Sequence, residues 1–124
     1  MATWIGVDFD GTLAEHRGWV DGVSLGNPIP AMVERVKAWL ANGQEVRIFT
    51  ARVWPIDAPL STAQREAIER WCERHLGQRL KVTCEKSPGM RELWDDIAVR
   101  VERNTGQIGN HPIVKGLGPF PDRQ

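Results

Sequence analysis

The chain has no net charge to work with: its 16 basic and 16 acidic residues cancel to +0. That removes any global argument for nucleic acid or an anionic membrane, although a local site can still be positive. Long apolar runs are missing too, as is a basic-then-apolar leader, so the expectation is a cytoplasmic protein with no membrane partner. Cysteine is scarce. Cys72 and Cys84 are the only two, they share no metal-ligand spacing with the histidines, and they read as reduced intracellular thiols. Tyrosine is absent beside six tryptophans, which decides nothing alone. Repeats and low-complexity tracts are also lacking.

What is present begins with Asp8-Phe9-Asp10-Gly11-Thr12. It follows Trp4-Ile5-Gly6-Val7, an apolar run that reads as a buried strand over residues 4–8. Side chains at i and i+2 of an extended segment point the same way. Asp8 and Asp10 therefore face one small volume, where like charges repel unless a cation or a shared proton intervenes. Gly11 lets the chain turn sharply. Strand, acidic pair and Gly-Thr turn together suit a metal site with a carboxylate nucleophile.

The 124 residues are enough for one domain with a proper core. From Gly11 to Pro28 the chain is Gly-rich, a loop with room for a small hairpin. Pro30 opens a helix, on which Met32, Val33, Val36, Trp39 and Leu40 recur at helical spacing. Asn42-Gly43 ends it. Glu45 to Phe49 is the second strand, ending at Thr50. Val53 to Leu60 is a loop, and Ser61 with Gln64 forms a capping box. The helix that follows carries Ala67, Ile68, Trp71, Cys72 and Leu76 on one face and stops at Gly77. Leu80 to Cys84 is a third strand, Ser87-Pro88-Gly89 a turn, and Glu92-Leu93-Trp94 a short fourth strand ending at Asp95-Asp96. Ala98 to Glu102 alternates like an edge strand. Irregular chain is expected from about residue 104.

Alternating strands and helices imply an α/β sheet with right-handed crossovers. In such sheets the ligand crevice lies at the carboxyl ends of the strands. Asp8 and Asp10, Thr50, Lys86, and Asp95 with Asp96 follow four successive strands and should meet at one rim. Around a phosphoryl group this set makes sense. A carboxylate attacks phosphorus, and a second acid protonates the leaving alkoxide and later activates water. Lysine and hydroxyl hold the phosphoryl oxygens. Mg²⁺ offsets carboxylate–phosphate repulsion.

With these residues the chain resembles the haloacid dehalogenase (HAD) superfamily of phosphotransferases over roughly residues 4–104. Its first motif, D-x-D-x-T, matches Asp8, Asp10 and Thr12. The second, a strand ending in Thr or Ser, matches Thr50. The third, a lysine, falls on Lys86, with Lys81 placed on a solvated strand face instead. The fourth, an acidic pair, matches Asp95-Asp96. The likeness implies a Rossmann-like three-layer sandwich with a mainly parallel central sheet. It implies Asp8 as nucleophile and Asp10 as general acid/base. Mg²⁺ would be held by Asp8, the Asp10 carbonyl and Asp96, with Asp95 the competing choice. The W-D-D and N-T-G pattern is similar to small phage-type members.

Arg52 suits bidentate oxyanion recognition and is expected either on substrate phosphate or as a surface charge. His16 reads as a surface residue. Trp19 and Trp54 lie in loops and read as ordinary packing residues, with overhang of the site as the alternative. No cap domain fits the intervals between motifs, so the site should be open to a bulky phosphorylated substrate or covered by subunit association. A polynucleotide 3′-phosphatase is the second reading, supported by Thr50-x-Arg52 and opposed by the neutral charge. A non-catalytic metal- or partner-binding HAD relative is the third. A signalling receiver domain fits poorly, because its acceptor acid would fall at Thr50.

Overall fold

The computed structural model describes residues 2–16 and 24–109. Five elements of the sequence pattern appear nearly where expected. Strand β1 is Trp4–Asp8, helix α1 Pro30–Ala41, strand β2 Glu45–Phe49, helix α2 Pro59–Leu76 and strand β3 Lys81–Thr83; strand β4, Met90–Trp94, follows. All pairings are parallel, and the 4-stranded sheet runs β3-β2-β1-β4. This is an α/β fold with a parallel central sheet, consistent with a Rossmann-like arrangement. No helix among the described residues is long and apolar enough to cross a membrane.

The strands explain the core. Ile5 sits beside Val46 and Val7 beside Ile48, so the same face of two neighbouring strands is aliphatic. Val82 extends that face onto β3. Met32, Val33 and Val36 of α1 cover it, together with Ile68, Trp71, Cys72 and Leu76 of α2. Each such side chain fully removed from water contributes about 1.5–3 kcal/mol. Cys72 is buried there, and desolvation pushes its thiol up to about 12, which keeps it inert.

Both helices meet this one face, because β1-α1-β2 and β2-α2-β3 step in the same direction with right-handed crossovers. The opposite layer is made differently. After β3 the chain must pass two strands to reach β4, and residues 84–89 do so without a helix. Their path is marked by Trp4 Nε1 donating to the Pro88 carbonyl at 3.1 Å and Arg47 Nη1 donating to Ser87 Oγ at 3.4 Å. Arg47 also stacks over the Trp4 ring, 4.4 Å from its centroid. The outer layer is thus an extended crossover pinned by Trp4 and Arg47, which is how Trp4 comes to be 1% exposed.

Several expectations need correction. The Ser61–Gln64 capping box does not form. Helix α2 starts earlier, with Pro59 in its first turn and Ala58 as an N-cap that makes no side-chain bond; proline's fixed φ suits that place. Ser61 and Gln64 are buried instead. Strand β4 is longer than the short Glu92–Trp94 run, because Met90 pairs with Trp4 at the strand start. Residues Ala98 to Glu102 form no strand, only a single bridge between Val101 and Ile108. Among the described residues their alternation has no neighbouring strand to pair with. Ala14 bridges to Pro28 in antiparallel fashion, a trace of the expected hairpin. Gly18, Trp19, Gly22 and the chain beyond 109 lie outside the described residues.

Candidate functional site

The acid loop is built at the end of β1. The Phe9 carbonyl accepts from the N–H groups of Thr12, Leu13 and Ala14, and Gly11 N–H donates to the Ala14 carbonyl. Phe9 and Leu13 anchor this tight turn in the core at 0% exposure. Asp8 and Asp10 are thereby left at the surface end of a rigid element. Gly11 has φ +89°, a left-handed conformation that glycine adopts without strain.

Asp8, Asp95 and Asp96 converge. Each offers a carboxylate oxygen, and the three atoms lie within 4.8 Å of one another. Thr12 Oγ1 donates to Asp8 Oδ2 at 3.2 Å and lies 3.4 Å from Asp96 Oδ1. Asp8 is pushed up to about 8, first by desolvation, then by a hydrogen bond with Asp96 and the charges of Asp95 and Asp96; the Thr12 hydroxyl pulls the other way. Asp95 is also raised, by desolvation and by Asp96. Three carboxylate oxygens crowded within one small volume, two of them on acids held above their ordinary range, are a donor set that a hard divalent cation satisfies. The residues present therefore fit Mg²⁺.

Asp10 is treated differently, although it lies only two positions along. Arg52 forks it: Nε donates to Oδ2 at 2.7 Å and Nη2 to Oδ1 at 2.8 Å. Both side chains are shielded, at 3% and 12% exposure. Arg52 Nη1 donates to Gln64 Oε1 at 2.6 Å, and Nη2 also reaches the Ser24 carbonyl at 3.2 Å. Arg52 is therefore no surface charge. It is a buried partner of Asp10, and no substrate is needed to explain its place. Gln64, read from sequence as half of a cap, is the residue the sequence reasoning missed. Its only signal was a polar residue on the buried side of an amphipathic helix.

Thr50 is buried at the end of β2, where its N–H donates to the Thr83 carbonyl. Its Oγ1 accepts from Arg52 N–H at 3.1 Å and caps the short 3-10 turn Ala51–Val53. That is the ordinary strand-end role, and it leaves the hydroxyl hydrogen to be donated elsewhere.

Asp8, Asp10, Thr50, Asp95 and Asp96 line one cleft of about 230 Å³, joined by His16, Ala51 and Ile97. His16 is exposed, as expected, yet it stands at this cleft. Lys86 is not among the lining residues; it is exposed on the crossover after β3. Lys81 is exposed on its strand. Trp54 is 72% exposed after the 3-10 turn. A larger hollow of about 850 Å³ lies between Arg100, Glu102, Gln107 and Gly109. It surrounds the Val101–Ile108 bridge, and among the described residues its lining holds a single acid, Glu102, so no acidic cluster forms there.

No family model matches this chain, and no curated protein does. A solved structure of a conserved protein from Bacteroides thetaiotaomicron is similar at 28% identity and a TM-score of 0.51. The match covers 89% of this chain and 84% of that one. It supports the α/β fold with a parallel sheet.

Proposed function

We propose that the protein is a Mg²⁺-dependent phosphatase of the HAD type, hydrolysing a phosphate monoester through an aspartyl-phosphate on Asp8. The observation that carries this reading is the unequal treatment of two neighbouring carboxylates. Asp8 is crowded by Asp95 and Asp96, while Asp10 is clamped by Arg52 at the same cleft. A nucleophile and a separate proton-transfer group need different environments of this kind.

In the proposed reaction an oxygen of Asp8 attacks phosphorus, and the alcohol departs with a proton from Asp10. Water then attacks the aspartyl-phosphate, giving its proton to Asp10 and releasing Asp8. Thr50 donates its hydroxyl hydrogen to a phosphoryl oxygen. Lys86 is the cation expected for those oxygens, and its long side chain would have to reach in from the crossover. Mg²⁺, held by Asp8, Asp96 and the Asp10 carbonyl with Asp95 beside them, would supply positive charge that keeps Asp8 ionised and offsets its repulsion from phosphate.

Among the described residues, the interval between β2 and β3 holds only the 3-10 turn and α2, so no cap domain stands there. An open cleft of this kind suits a bulky substrate. The polynucleotide 3′-phosphatase reading loses one support, because Arg52 is engaged by Asp10. Turnover of a panel of nucleotides, sugar phosphates, phosphopeptides and 3′-phosphorylated oligonucleotides, with Asp8→Asn as control, tests the proposal. Hydrolysis by the wild type and none by the variant is expected. Metal binding with no turnover of any substrate would favour a non-catalytic module instead.

A further inference from the structure

We infer that Arg52 is the positioning residue for Asp10, and that Gln64 orients Arg52 in turn. The inference rests on the phosphatase reading and assigns Arg52 a role other than phosphate binding. Arg52 and Gln64 are each 5% exposed, and the 2.6 Å bond between them ties the guanidinium to α2. The Thr50 cap fixes the Arg52 backbone from the other side. With Nη1 held by Gln64 and Nη2 also on the Ser24 carbonyl, the Nε–Nη2 edge is turned onto Asp10. A planar fork on a carboxylate sets the direction of both oxygens, which a single ammonium cannot do.

Stability gives no sufficient reason for this arrangement. A buried ion pair contributes little net stability, since desolvation offsets the attraction. Its effect is geometric. A carboxylate offers about four lone-pair sites, and a fork uses two of them. The others remain for the cleft that Asp10 lines. In the first step Asp10 enters carrying a proton at a lone pair that the fork leaves free; the Asp8 oxygen–phosphorus bond forms, the phosphorus–alkoxide bond breaks, and that proton goes to the alkoxide oxygen. In the second, the water oxygen–phosphorus bond forms, the bond to Asp8 breaks, and the water proton goes to Asp10. Both transfers need one Asp10 oxygen held at the same place, and Arg52 holds it there.

The alternatives differ in what they do to the leaving group. An arginine on the phosphoryl oxygens would touch the group common to every substrate, so its loss would slow alkyl and aryl phosphates alike. An arginine acting through Asp10 matters chiefly where the leaving group needs a proton. Single-turnover phosphorylation of an alkyl and an aryl phosphate is therefore compared for wild type, Arg52→Lys, Asp10→Asn and the double variant. Arg52→Lys should slow the alkyl substrate by about tenfold or more, part of what general acid catalysis supplies, and the aryl substrate far less. In the Asp10→Asn background, Arg52→Lys should add almost nothing. Gln64→Met, which keeps both charges, should show the same bias more weakly and serves if Arg52→Lys fails to fold. Equal losses on both substrates, or losses that multiply in the double variant, overturn the inference while leaving the phosphatase reading in place. The two substrates are chosen from those the panel shows the wild type to turn over, and a wild type that turns over no member of the panel overturns both readings.

Discussion

Gly11 and Asp96 are in contact range across the site: a Cβ on Gly11 would stand 2.6 Å from Asp96 Oδ2. The glycine thus serves twice, since its φ of +89° also lies where side chains are strained. Gly11→Ala should destabilise the protein by about 1–2 kcal/mol from backbone strain alone. It should also push Asp96 away and weaken Mg²⁺ binding. Denaturant unfolding with and without Mg²⁺ checks both parts; unchanged metal affinity would separate Asp96 from the metal.

The crowding at Asp8 predicts an inverted pH profile for the metal-free protein. Folding raises Asp8 from an ordinary 3.8 to about 8. Between those values the folded chain keeps a proton that the unfolded chain has lost, so stability falls as pH rises. The contribution is complete below about pH 4 and is lost progressively up to about pH 8. Asp8→Asn should flatten that slope and stabilise the metal-free protein at pH 8. The gain should be on the order of 1–2 kcal/mol once solvent screening is allowed for. The same variant should abolish turnover. A thermal melt series across pH would reject the idea if wild type and variant ran parallel.

Mg²⁺ should remove the same penalty by binding the ionised acids. Chelation is expected to stop turnover, and added Mg²⁺ to restore it while raising the melting temperature more at pH 8 than at pH 5. Asp96→Ala should weaken Mg²⁺ affinity more than Asp95→Ala, because Asp96 shares the Thr12 hydroxyl and a hydrogen bond with Asp8. Calorimetric titration of the two variants decides between them, and the reverse order would make Asp95 the ligand.

Two lysines near β3 can be told apart by rate. Lys86→Ala is expected to slow phosphorylation by roughly a hundredfold or more, as loss of a charge-stabilising group does. Lys81→Ala should leave it unchanged. No effect of Lys86→Ala would take Lys86 out of the site, in keeping with its exposed position outside the cleft lining.

The sequence by itself determined β1, β2 and both helices, because apolar periodicity, Pro30, Gly43 and Gly77 are local signals that need no partner. It also placed Asp8, Thr50 and Asp95-Asp96 at strand ends, and the parallel sheet then had to bring them to one rim. Tertiary structure alone decided the rest. Whether 98–102 became a strand depended on a neighbour that is not there among the described residues, and the outer layer depended on how 84–89 crosses Trp4 and Arg47. The fate of Arg52 was the least legible. An arginine after a strand can face solvent, a phosphate or a carboxylate, and the choice rests on what lies within about 3 Å once the chain is folded. Here Asp10, 42 residues earlier, and Gln64, 12 residues later, fill that space. A spacing pattern carries no record of such contacts, because they form between elements and not along one.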